Sequence, residues 1–218
     1  MGGGMAIGAV IFDCDGVLVD SEPLANRVIR DNLAARGLDW SVEDVMRRFV
    51  GGTIAGIAPV AEAHGARLEK DWVPALYAQI FEVLAREVAP VPGAPGVLDA
   101  LDAAGVPHAV GSNGPVRKME ITLGRCGMLD RLSGRILSAQ EVGRVKPAPD
   151  VYLAAARLLG VAPADAVVIE DSATGARAAA AAGMRCLGYA PDGDGAALRA
   201  EGAEIFRDMA DLPERLGL

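Results

Sequence analysis

Ile7-Gly8-Ala9-Val10-Ile11-Phe12-Asp13-Cys14-Asp15-Gly16-Val17-Leu18-Val19-Asp20-Ser21-Glu22 runs from an apolar, β-branched segment into two carboxylates and a glycine. Alternate residues of a strand point the same way, so Asp13 and Asp15 project side by side while Cys14 turns to the opposite side. Two adjacent carboxylates repel and raise one another's pKa unless a cation or a transferred proton relieves them. The pair therefore implies Mg²⁺, proton shuttling, or both.

An Asp-x-Asp start also opens the calcium loop of an EF-hand. Spacing excludes that reading, because positions six and twelve counted from Asp13 must hold glycine and glutamate and instead hold Leu18 and Leu24.

Outward from this stretch, two regimes of pattern follow. Ser21, Glu22 and Pro23 make a helix start, with Leu24, Val28, Ile29 and Leu33 at helical spacing until Gly37. Further helices are expected over 41–48, about 53–64 and about 69–88, with the loop Phe49-Val50-Gly51-Gly52-Thr53 among them. A proline-rich hinge, Ala89-Pro90-Val91-Pro92-Gly93-Ala94-Pro95, closes the stretch. Beyond it helices and strands alternate, with strands at 107–112, 135–138, 166–169, 186–189 and 204–206 and helices at 116–126, 150–159 and 174–182. Alternation with continuous apolar strands predicts an α/β fold, a Rossmann-like parallel sheet covered on both faces by helices, with active groups at the strands' carboxyl ends. The organisation expected is a core of residues 5–20 and 91–218 and an inserted all-helical cap of residues 21–90, hanging over Asp13.

The chain has 218 residues, half of them hydrophobic, enough for one good core and a second small domain. A formal net charge of −8 argues against nucleic-acid binding, so a phosphorylated substrate must be met by local positive charge and a metal. Cys14, Cys126 and Cys186 match neither a zinc motif nor a disulfide framework and read as buried thiols of a reducing compartment. Met1-Gly2-Gly3-Gly4-Met5 lacks the features of a secretory signal, with Gly2 to Gly4 read as a flexible leader, and no segment has membrane-spanning length. A cytoplasmic protein without membrane or nucleic-acid partners, monomeric or weakly dimeric, is expected.

Four polar strand ends converge on one edge of the predicted sheet. Ser112, in Gly111-Ser112-Asn113-Gly114, supplies a hydroxyl and neighbouring N–H groups suited to a phosphoryl oxygen, although Ser-Asn-Gly also forms turns. Lys146, between Val145 and Pro147, is fixed by two prolines ahead of a helix, as a cation meeting a transferring phosphoryl group must be. Glu170 and Asp171 follow Val167-Val168-Ile169, and they read either as a helix-start pair or as further oxygen ligands for Mg²⁺ beside Asp13. His64 reads as a surface residue and His108 as a satisfied strand residue.

The ordered set Asp13-Cys14-Asp15-Gly16-Val17, Ser112-Asn113, Lys146-Pro147 and Glu170-Asp171-Ser172 resembles the haloacid dehalogenase-like hydrolase superfamily, in the branch with a helical cap after the first motif. The resemblance runs from Ile7 to about Ala190. It implies an aspartyl-phosphate mechanism with Mg²⁺: Asp13 as nucleophile, Asp15 as general acid and then base, Ser112, Asn113 and Lys146 around the phosphoryl group. The metal would be held by Asp13, the Asp15 carbonyl, Glu170 and Asp171. Asp15 sets the chain apart from the dehalogenases and the phosphonate-cleaving members, which lack an aspartate there. Sugar phosphomutases of the family resemble Asp-Thr-Ala-Glu-x-His after the first loop, whereas this chain reads Asp20-Ser21-Glu22-Pro23-Leu24-Ala25, with Ala25 in the histidine's place.

The run from Ser112 to Leu129 and the cap segment from Arg47 to Thr53 look most like 6-phosphogluconate phosphatase-type proteins. That likeness implies a small sugar or sugar-acid phosphate as substrate, with Arg47 or Arg48 and Gly52 in the cap contacting it. Arginine meets a carboxylate bidentately, but a solvated helix surface is the competing reading for either one. A sugar phosphomutase is the alternative, and a receiver-like phospho-aspartate switch a distant one. The switch fits poorly because its acceptor does not sit on the first strand beside a second acid and it carries no large cap.

Overall fold

The computed structural model describes residues 7–49 and 54–218, so the glycine leader and the expected substrate contact at Gly52 lie outside the described residues. The chain divides into two compact units, 21–88 and the remainder, 1–20 with 89–218.

The larger unit begins with β1 (Ala9–Phe12), every residue of which is buried, as an unalternated apolar run requires. The smaller unit holds α1 (Glu22–Ala34), α2 (Val42–Phe49), α3 (Ile54–Ala63) and α4 (Trp72–Glu87). Pro23 stands in the first turn of α1, where its missing N–H costs nothing. Trp72, Leu76, Ile80 and Leu84 recur every fourth residue and form the buried stripe of α4. Between α1 and α4, the Asn32 amide ties the unit together: its Oδ1 accepts from Trp72 Nε1 at 2.7 Å and its Nδ2 donates to Gln79 at 2.8 Å.

After the hinge come α5 (Ala94–Ala104), β2 (His108–Ser112), α6 (Val116–Arg125), α7 (Leu129–Leu132), β3 (Ile136–Ser138), α8 (Ala139–Val142) and α9 (Asp150–Leu159). The chain ends with β4 (Ala166–Glu170), α10 (Ala173–Ala181), β5 (Arg185–Tyr189), α11 (Ala196–Ala200), β6 (Glu204–Phe206) and α12 (Leu212–Leu216). The short helices α7, α8 and α11 are too brief to show a helical period and were not expected from the sequence.

The six strands are all parallel in the order β3-β2-β1-β4-β5-β6. Strand β1 thus lies between β2 and β4, where the winding of the sheet reverses, and a ligand crevice forms outside the carboxyl ends at such a point. Register fixes the level of the crevice, since Phe12 aligns with Val110 and Ile169. Glu170 proves to be the last residue of β4, paired with Gly188, rather than the first after it. On one face Val151, Tyr152, Ala155 and Ala156 of α9 and the alanines of α10 pack with Ile11, Ala109 and Val168 into a core of small side chains, which brings the helices close to the sheet.

Candidate active site

Asp13 follows β1 directly, and its N–H continues the ladder to the Ile169 carbonyl at 2.9 Å. The chain then turns tightly: the Cys14 carbonyl accepts from Leu18 and Val19, and Gly16 donates to the Val19 carbonyl. Gly16 has φ of +79°, and a Cβ there would stand 2.0 Å from Asp171 Oδ2, so only glycine lets the Asp171 carboxylate lie against this loop.

Lys146 is 6% exposed and its ammonium donates to Asp13 Oδ1 at 2.5 Å and to Glu170 Oε1 at 2.7 Å, above the face of the Tyr152 ring. Its backbone N–H donates to Asn113 Oδ1 at 2.8 Å, and Gln140 Nε2 donates to the Asn113 carbonyl. Asn113 therefore clamps two loops together through its Oδ1 and its backbone carbonyl. Ser112 Oγ accepts from Gly114 N–H at 3.0 Å, so the turn-forming reading of Ser-Asn-Gly holds while the hydroxyl sits at the carboxyl end of β2.

Glu170 spends both oxygens. Oε1 accepts from Lys146 and from the Tyr152 hydroxyl, and Oε2 accepts from the N–H groups of Asp171 and Ser172 and from Ser172 Oγ. Ser172 Oγ in turn accepts from Gly175 N–H and caps α10. Gly175 gives Glu170 its seat, since a Cβ there would fall 1.6 Å from Oε1.

Two residues absent from the expected set join the site. Lys118 Nζ donates to Asp15 Oδ1 at 2.7 Å, and the Tyr152 hydroxyl reaches Glu170 at 2.7 Å. Tyr152 left no sequence signal beyond an apolar helix position. Lys118 did, because a cation in the first turn of a helix opposes the helix dipole and calls for a compensating acid.

Burial pushes the Asp13 carboxyl up to about 7, with Lys146 opposing and the charges of Glu170 and Asp15 adding to the rise. Burial also works against the Lys146 ammonium, but Asp13 and Glu170 outweigh it and hold its pKa above the ordinary value. For Glu170 burial is likewise outweighed, by Lys146 and by the hydrogen bonds of Tyr152 and Ser172, so it stays ionised.

The donor set bears on a divalent cation. Among the described residues no three acidic, histidine or cysteine side chains gather around one point. Of the expected ligands, Glu170 already accepts five hydrogen bonds, and the Asp15 side chain pairs with Lys118, which leaves the expected role of its carbonyl untouched. Asp13 and Asp171 each bring a carboxylate, and two carboxylates suffice for Mg²⁺, which draws its other ligands from carbonyls, waters and substrate phosphate. The residues present fit the ion on those terms.

In the smaller unit the Arg48 guanidinium stands over the Trp40 ring, 4.7 Å from its centre, with His64 Nε2 3.5 Å away. Arg47 pairs with Asp44. His108, expected to be satisfied, is buried with Nδ1 on the Val106 carbonyl and Nε2 without a hydrogen-bond partner. Of the cysteines, Cys14 and Cys186 are buried and Cys126 is half-buried, all free.

Residues 7–183 match the haloacid dehalogenase-like hydrolases. The chain belongs to that family. It is 30% identical over 210 residues to the 6-phosphogluconate phosphatase of Escherichia coli K12, covering 95% of this chain and 94% of that one. A hydrolase of the family from Deinococcus radiodurans R1, crystallised with bound phosphate and sodium, is 36% identical with a TM-score of 0.82, covering 98% and 96% of the two chains. A structure described as a putative beta-phosphoglucomutase from Thermotoga maritima is 28% identical with a TM-score of 0.81, covering 96% and 98%. This family member is thus an enzyme of the hydrolase class with a parallel α/β core, and no helix among its described residues is long and apolar enough to cross a membrane.

Proposed function

We propose that the protein is a Mg²⁺-dependent phosphatase of a small sugar or sugar-acid phosphate, working through an aspartyl phosphate on Asp13. The supporting observation is the buried Asp13 carboxylate at the end of the central strand, with one oxygen on Lys146 and a second acid, Asp15, two residues on. Asp13 attacks phosphorus through a carboxylate oxygen. As that bond forms the ester P–O bond breaks, and the departing oxygen takes its electron pair and a proton from Asp15. Asp15, now ionised, takes a proton from water as the water oxygen attacks the phosphoryl group, and the P–O bond to Asp13 breaks to restore the carboxylate. Lys146 and the Ser112 hydroxyl hold phosphoryl oxygens, and Glu170, fixed by Tyr152 and Ser172, keeps Lys146 charged and in place. Bound Mg²⁺, held by Asp13, Asp171 and the Asp15 carbonyl, would neutralise charge on the phosphoryl oxygens.

The likeness to the 6-phosphogluconate phosphatase supports a sugar-acid phosphate, and the likeness to the beta-phosphoglucomutase favours transfer between sugar hydroxyls as a second reading. Ala25, which offers no proton-transfer group, weighs toward hydrolysis. Phosphate release across sugar phosphates, nucleotides and phosphoglycolate, with Mg²⁺ and with excess chelator, tests the proposal. Chelator-sensitive turnover of sugar phosphates, lost in Asp13→Asn, is expected; turnover retained in that variant would refute it.

A further inference from the structure

We propose that Lys118 is a positioning residue of the reaction, its ammonium holding Oδ1 of Asp15 so that Oδ2, at the Ser112 turn and protonated when the ester binds, gives its proton to the leaving oxygen. The inference rests on the reading of Asp15 as the acid. Asp15 lies past the end of β1 in a turn whose backbone bridges to Val19, but that bridge does not set its side-chain torsions, and a carboxylate on a loop samples several rotamers unless something holds it.

Lys118 comes from the first turn of α6, a position where the helix dipole disfavours a cation. Its ammonium nevertheless sits 2.7 Å from Asp15 Oδ1, with both side chains less than a fifth exposed. A surface pair would be loose and screened; this one is neither.

Gly114 shows which way the acid is turned. A Cβ there would stand 3.4 Å from Ser112 Oγ, 3.6 Å from Lys118 Cδ and 3.7 Å from Asp15 Oδ2. The lysine stem therefore passes over Gly114, takes Oδ1, and leaves Oδ2 facing the turn that carries the Ser112 hydroxyl. The two ammoniums divide the acids between them: Lys146 serves Asp13 and Glu170, Lys118 serves Asp15. Thr122, one turn on in the same helix, donates to the Lys118 carbonyl at 3.1 Å.

The test compares two esters in the first turnover of the full-length enzyme with Mg²⁺. 6-Phosphogluconate releases an alkoxide that needs a proton, whereas p-nitrophenyl phosphate releases a phenolate that does not. Lys118→Met should slow the first turnover of 6-phosphogluconate by about 10–100-fold with KM nearly unchanged, and that of p-nitrophenyl phosphate by less than about 3-fold. Lys118→Arg, which keeps the charged donor, should recover most of the loss. Equal slowing of both esters, or a raised KM at intact kcat, would overturn the proposal. So would unfolding of both Lys118→Met and Lys118→Gln by circular dichroism, which would make the lysine a stability element. Asp15→Asn separates the two levels. If it discriminates between the esters and Lys118→Met does not, the Lys118 proposal alone fails; if it does not discriminate, the reading of Asp15 fails and takes the proposal with it.

Discussion

Replacing Asp13 by asparagine should remove the alkaline fall in stability of the metal-free protein while abolishing turnover. Burial raises the Asp13 carboxyl from 3.8 to about 7, so the folded state binds a proton that the unfolded chain has already lost. A group raised in this way contributes stability that is present below its unfolded pKa and lost as pH climbs through its folded one. Between about pH 5 and about pH 8 the pair of pKa values translates into about 3 kcal/mol lost by the wild type. The asparagine variant has no such group and keeps the Lys146–Glu170 pair. Urea unfolding in chelator across that range should show the wild-type curve falling away from the variant's by about that amount. Adding Mg²⁺ at the alkaline end should return stability to the wild type far more than to the variant. Parallel curves in chelator would mean that Asp13 is not held in an unfavourable charged state, and the electrostatic account of the site would fail.

Asp171→Ala should raise the Mg²⁺ concentration needed for half-maximal activity with little change in unfolding midpoint. Glu170→Gln should instead destabilise by about 3–5 kcal/mol, because it strips a buried ammonium of one partner. Gly175→Ala should cost about 3 kcal/mol or more in urea unfolding and impair turnover, since its Cβ would displace the Glu170 carboxylate from all five bonds. Burial holds the His108 imidazole below its ordinary pKa, so the unfolded chain takes up the proton first and stability falls with pH below about 6.5. His108→Asn should flatten that acid slope, and an unchanged slope would reject the assignment. Given β-glucose 1-phosphate, the enzyme should release phosphate and form little glucose 6-phosphate, because Ala25 provides no group to favour a sugar hydroxyl over water; coupled assay of both products decides it.

How much of this was legible depended on the reach of each interaction. The strand ends at Asp13 and Ser112 and the loop at Lys146 announce themselves locally, by apolar runs stopping at polar residues or by prolines beside a lysine, and the alternation after the hinge fixed the sheet class. Glu170 was half legible: a helix-start acid and a metal ligand look alike in sequence, and only the Ser172 cap and the Gly175 gap show that it is committed to the protein. The clamp at Asn113 left no local signal because its bond to the Lys146 backbone spans 33 positions. Lys118 went unassigned because its acid lies 103 positions away. Those long-range pairs also settle a point that the net charge raised. Asp13, Asp15, Glu170 and Asp171 face two ammoniums, so the ionised site carries an excess of two negative charges before a phosphate ester arrives. Local lysines therefore do not by themselves make this acidic protein receptive to an anion. Protonation of Asp13 removes half of that excess but disarms the nucleophile, whereas a divalent cation removes all of it and leaves the carboxylate ionised. The proposed requirement for Mg²⁺ thus draws support from the charge count of the site as well as from its ligand chemistry.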